Sequence, residues 1–212
     1  MKRKSFFYVA IVATLLFAAC EPKEPDNNSP KKIGVEMYGG VVWAPYNVGA
    51  TGTFVANIED YGGLFQWNRK DTANFFLFDA YYASDYSIAT FWSSAPENNP
   101  CPKGWRVPRT EEIDCLYDTD GIEHEWTKEK GVYGNRFTDK ESFKSIFLPA
   151  AGWRDAVDGT VHDAGEEGNY WSSTQSRGND TDVALYLLFH ISDTWFGATY
   201  KSYGLSVRCV AE

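Results

Sequence analysis

Three histidines, His124, His162 and His190, are the only imidazoles in the chain, and they stand tens of residues apart. Zinc sites usually include one close pair at ligand spacing, so these three nominate none. No Gly-x-Ser-x-Gly, His-Glu-x-x-His, P-loop or Gly-x-Gly-x-x-Gly pattern occurs, which removes the common nucleophile, protease and nucleotide signatures. The pairs Glu111-Glu112, Asp118/Asp120 and Glu166-Glu167 have the chemistry of a hydrolase, but adjacent carboxylates are ordinarily solvated surface. Asp155, Asp158, Asp163 and Glu166 crowd hard oxygen ligands of the kind calcium takes. Their spacing does not fit an EF-hand loop, and turn-forming acids explain it as well. The expectation is a non-enzymatic chain with no cofactor and no metal.

What the chain has in excess is rings. Aromatic residues make up 17% of 212 positions, with 8 Trp, 13 Tyr and 14 Phe. The stretch Val183–Phe189 reads as a strand, with Leu185, Leu187 and Phe189 on one face and Tyr186, Leu188 and His190 on the other. The first set is uniformly apolar and is expected to face the core. The second, mixing ring, aliphatic and imidazole groups, is expected to point outward as a contact surface. Trp195, Phe196, Tyr200 and Tyr203 follow in what reads as a polar, glycine-containing loop. Tyr and Trp give rigid contact area at low entropy cost. The candidate ligand-binding set is therefore Tyr186, Leu188, His190, Trp195, Phe196, Tyr200 and Tyr203.

These groups need a scaffold and an address. Net charge is −9, which argues against a nucleic-acid partner, since displacing counterions needs a basic footprint. Lys2, Arg3 and Lys4 precede an apolar run from Phe6 to Ala19, too short for an ordinary spanning helix. Small residues Ala18 and Ala19 stand directly before Cys20. That pattern resembles a bacterial lipoprotein signal, apart from Phe17, where an aliphatic residue is usual. It implies a leader over residues 1–19, lipid on Cys20, a membrane attachment through that lipid, and an extended tether over residues 20–32. The tether contains Glu21, Glu24 and Asp26, acids of the kind seen in surface-export signals, so the expected site is the outer membrane, at the cell surface. A folded domain is expected over residues 33–212.

Of the remaining cysteines, Cys101, Cys115 and Cys209, at most one pair can form among themselves. Cys101–Cys209 would close a loop of roughly 100 residues, worth about 4.7 kcal/mol; Cys101–Cys115 would close roughly 15, worth about 3 kcal/mol. Both remain open on the residues alone.

Strand-like runs at Gly39–Gly49, Tyr61–Trp67, Ser145–Asp155, Tyr170–Ser173, Val183–Phe189 and Tyr203–Val210 are punctuated by glycine, asparagine and proline. Asp71–Ser94 reads as a long packed loop. One helix is expected, with Thr110 as N-cap, Glu111 and Glu112 at its positive end, and an apolar stripe of Ile113, Leu116 and Tyr117. Trp126–Lys128 and Asn135–Thr138 flank a Gly131–Gly134 turn.

The ordered blocks VWAPYNVGA, YGGLFQW, CPKGWRVPRTEE, LPAAGWRD, GNYWSST and YGLSVRCV resemble the Fibrobacter succinogenes major paralogous domain of exported bacterial proteins. The resemblance implies an α+β, C-type-lectin-like domain: irregular, turn-rich, with short antiparallel strands and one clear helix. It implies a bridge from the region before the helix to the last strand, hence Cys101–Cys209, with Cys115 left as a free thiol. It also implies binding of a protein or glycan through the C-terminal strands, inside a frame of Tyr170–Thr174, Ala184, Leu187, Phe189, Gly204 and Ser206–Arg208. The alternatives are a fimbria-associated or structural envelope module and, further off, a relative of sulfatase-modifying enzymes.

Overall fold

Short apolar runs, interrupted wherever glycine, proline or asparagine turns the chain, cannot make long strands; they pair instead in several small sheets. The computed structural model describes residues 33–72, 92, 96–176 and 182–212. The leader, the tether with Cys20, and most of the Asp71–Ser94 segment lie outside the described residues.

The described residues form four antiparallel sheets. The first runs β1 (Val35–Met37), β2 (Val41–Trp43), β14 (Val210–Ala211), β4 (Trp105–Arg106). The second runs β3 (Phe65–Gln66), β13 (Gly204–Leu205), β8 (Trp153–Arg154), β9 (Val161–His162). The third joins β5 (Ile122–Glu129), β6 (Val132–Asp139) and β7 (Ser145–Pro149). The fourth joins β10 (Glu167–Gln175), β11 (Val183–His190) and β12 (Asp193–Tyr200). The helix α1 (Thr110–Tyr117) is the one α-helix among the described residues. The molecule is therefore mostly β, and the expected α+β, C-type-lectin-like class is corrected: segments taken for irregular loop pair as strands, while helix is confined to about two turns.

The helix begins one residue earlier than its cap signal suggested. Arg109, not Thr110, is the N-cap, and its N–H donates to the Glu112 carboxylate at 2.8 Å. Thr110 instead donates its N–H to Thr174 Oγ1 at 3.1 Å, tying the helix start to β10. The β5–β6 turn is Lys130-Gly131, at φ 45° and 93°, so the hairpin is tighter than the expected Gly131–Gly134 turn and Gly134 lies inside β6. Ile113 and Leu116 are buried as the stripe predicts, whereas Tyr117 is exposed.

The fourth sheet lies between two cores. Trp171 and Ala184 join Phe65, Trp67, Trp105 and Val207 on one side. Tyr170, Leu187 and Phe189 join Trp43, Ile113 and Phe137 on the other. The last segment threads between them. Ser206 N–H donates to the Asn169 carbonyl, Val48 N–H to that of Val207, and Ala44 N–H to that of Cys209. The single long strand expected over Tyr203–Val210 is thus split into β13 and β14, with bridging residues between.

His124 packs edge-on to Phe137, with ring centroids 5.0 Å apart, and bonds the Leu116 carbonyl through Nε2 at 3.1 Å. Burial lowers its pKa, and Lys140 works in the same direction while the Leu116 carbonyl opposes both. A depressed imidazole pKa means the unfolded chain takes up the proton first, so stability declines as pH falls below about 6.5. Urea midpoints measured from pH 8 to 5 should show that decline, and His124→Phe should flatten it.

Candidate functional site

β11 is the middle strand of its sheet, and its register places every candidate residue. Trp171 stands opposite Tyr186, Asn169 opposite Leu188, and Glu167 opposite His190 on the β10 side. On the β12 side Tyr186 faces Gly197, Leu188 faces Trp195, and His190 faces Asp193. Opposed residues share a face. One face therefore carries Glu167, Asn169, Tyr186, Leu188, His190 and Trp195. The other carries Leu187, Phe189, Thr194 and Phe196.

The expected inward and outward sets do lie on opposite faces, but both faces are partly covered. Leu187 and Phe189 are fully buried and Leu185 is half-buried. Leu188, expected outside, is only 7% exposed, and this is corrected: a middle strand is covered on two sides. Tyr186 is half-buried, edge-on to Trp171 at 6.1 Å, and an added Cβ at Gly197 would come within 2.5 Å of its ring. Burial raises its pKa, and the Glu167 charge adds to that. Truncating Tyr186 should therefore cost about 1–3 kcal/mol in urea unfolding, more than a surface ring does.

Trp195 and His190 are half-buried and meet edge-on at 4.9 Å. Ser192 N–H donates to His190 Nδ1 at 3.0 Å, which leaves Nε2 as a donor on the neutral ring. Beneath them Asn169 is 2% exposed, and its buried Nδ2 has no partner among the described residues. An unmet buried donor costs about 1–3 kcal/mol, so an acceptor supplied there is favoured.

The other candidates separate. Phe196 lies on the opposite face, edge-on to Tyr117 at 5.8 Å and packed on the second core, so it leaves the set. The loop expected around Trp195 and Phe196 is strand β12. Tyr200 and Tyr203 meet at 6.0 Å and continue to Trp153 and His162, a separate run of rings. Depressions of about 350 Å³, among Val35, Tyr46, Ile58, Lys130 and Ile146, and about 120 Å³, among Trp92, Arg106, Arg109 and Ser173, lie away from all of these. The acids considered for calcium act in turns: Asp155 accepts from Val157 N–H, Asp158 from Thr160 N–H, and Asp163 from Trp153 Nε1.

Two features of the frame are structural. Cys101 and Cys209 are bonded, with Cα atoms 6.1 Å apart. Cys115, expected as a free thiol, is corrected: it is disulfide-bonded, and no described cysteine is free. Arg208 is 1% exposed. Its Nε donates to Asn47 Oδ1 at 2.9 Å, Nη1 to the Ala44 and Pro45 carbonyls, and Nη2 to the Phe147 carbonyl. Burial lowers its pKa to about 10, so it stays charged at neutral pH, and raises that of neighbouring Tyr170 to about 12.

The Fibrobacter succinogenes major domain model matches residues 38–211. The chain belongs to that family. The matched span covers nearly all of both cores, the disulfide and the Arg208 staple. No curated protein and no solved structure matches the chain. Glu167, Asn169 and Asp193 were missed as members of the candidate face. Residues two apart in the strand containing Tyr170 and Trp171 share a side, and that parity could have found the first two.

Proposed function

We propose that this chain is a non-enzymatic cell-envelope protein whose domain binds a protein or glycan through the open end of the β10–β12 sheet. The observation that carries the ligand reading is the grouping on one face of half-buried Trp195, His190 and Tyr186 with Asn169, whose Nδ2 has no partner among the described residues. Rings supply contact area, and Asn169, Glu167 and His190 supply directional hydrogen bonding around it. Displayed on a tether, such a face meets partners outside the membrane.

Screening the purified protein against glycan and host-protein arrays should return a ligand whose binding weakens by at least about 2 kcal/mol in Trp195→Ala. That variant should stay folded, losing about 1–3 kcal/mol in urea unfolding as a half-buried ring does. Binding untouched by Trp195→Ala would move the site elsewhere. The lipid expected on Cys20 and the disulfide at Cys115 compete for one sulfur, since Cys20 is the one cysteine of the chain left to pair with Cys115. Mass spectrometry finding an acylated Cys20 as first residue would support the anchor, and a Cys20–Cys115 peptide would refute it.

A further inference from the structure

β5 and β12 are both 8 residues long, and both lie at the edge of their sheets. Edges present unpaired N–H and C=O groups, and proteins guard them with charge, proline or bulges. β5 is guarded by Glu123, Glu125, Lys128 and Glu129. β12 has a single charge, at Asp193, and no proline. Its pairing with β11 runs without a bulge from His190–Asp193 to Val183–Tyr200.

Two bonds fix which backbone groups point outward. Lys201 N–H donates to the Asp182 carbonyl at 2.8 Å, continuing the β11–β12 ladder at an odd-numbered position. Thr194 N–H, at an even-numbered one, turns instead to Asp193 Oδ1 at 2.8 Å. Backbone groups alternate along an antiparallel strand. Phe196 and Ala198 therefore aim N–H and C=O away from β11, and no described residue takes those four groups.

We propose that β12 pairs antiparallel with β12 of a second copy of this chain, about a two-fold axis at Gly197. In that register Phe196 of each copy exchanges both hydrogen bonds with Ala198 of the other. The N–H and C=O groups of Phe196 and Ala198 in each chain are then satisfied. The strand is self-complementary in size: Phe196 stands opposite Ala198, and Trp195 opposite Thr199. Gly197 meets its own counterpart in the close, non-hydrogen-bonded pair, about 4.5 Å between Cα atoms, and brings no side chain to collide. Asp193 does not face its like. The pairing is isologous and closed, so it stops at two copies. It stands apart from the ligand proposal, because Trp195 keeps its face in the joined sheet.

Two variants of the full chain test this in detergent. Ala198→Pro deletes one outward N–H while leaving the bonds to β11. Ala198→Lys keeps the N–H but adds the charge that β12 lacks. Sedimentation should give twice the chain mass for the wild type and one chain mass for both variants, each with an intact Cys101–Cys209 bridge as a fold check. Hydrogen exchange at the Phe196 and Ala198 amides of the wild type should be slow and should quicken on dilution. A monomeric wild type, fast exchange at those amides in a dimer, or dimers persisting in both variants would overturn the pairing.

Discussion

Replacing Arg208 with leucine should cost at least about 4 kcal/mol, because it strands four buried acceptors at roughly 1–3 kcal/mol each. Those acceptors are Asn47 Oδ1 and the carbonyls of Ala44, Pro45 and Phe147. They belong to two stretches of chain, residues 44–47 and strand β7, which Arg208 ties to the last segment. With total stabilities of about 5–15 kcal/mol for ordinary domains, the variant should be largely unfolded or heavily depleted in expression. Lysine at 208 keeps the charge but not the planar fork, so it should rescue only a minor part. Asn47→Ala should also destabilise, since Asn47 links Arg208 to Tyr170 through Nδ2 and the tyrosine hydroxyl at 3.0 Å. Circular dichroism in urea reads all three. A leucine variant as stable as the wild type would mean that the staple contributes nothing.

The second large effect is expected from Cys101→Ala/Cys209→Ala. The bridge spans 108 residues, and freeing a loop of that size in the unfolded chain is worth about 4.7 kcal/mol in the chain-entropy model. Both cysteines are buried in the first core, and the second sits between the β13 and β14 segments. Alanine fills most of the space lost, so entropy dominates the change. The paired substitution is preferable to reduction, which would also open the bond at Cys115. An unchanged urea midpoint would contradict the expectation.

The scaffold was legible where patterns are local. Ile113 and Leu116 reported a helix face, and the alternation Leu185, Leu187, Phe189 reported a strand. β12 was hidden because Thr194, Gly197, Ala198 and Thr199 give no alternation, and its two rings read as loop decoration; the strand exists because a two-residue turn folds it back on β11. Leu188 was misplaced for a related reason. Parity gives the face but not what covers it, and that depends on which strand is central. Arg208 breaks the rule that charges stay outside, so only its place in the SVR block of the family pattern marked it. The open end of the candidate face was half visible, in Tyr186, His190 and Trp195. Glu167 and Asn169 were missed because β10 was read as starting at Tyr170 rather than Glu167.

The claim that matters most is that ligand binds on the Trp195 face of the β10–β12 sheet, and two rings in different sheets, half-buried Trp195 and exposed Tyr133, separate it from general stickiness. Tyr133 is 42% exposed on the β5–β6 hairpin, stacked on Trp126 at 5.7 Å. Calorimetric titration of the array-identified ligand into Trp195→Ala and Tyr133→Ala is the most direct measurement. A loss of at least about 2 kcal/mol for Trp195→Ala, with Tyr133→Ala binding as the wild type does, is the predicted result. Full affinity in Trp195→Ala together with lost affinity in Tyr133→Ala would contradict it.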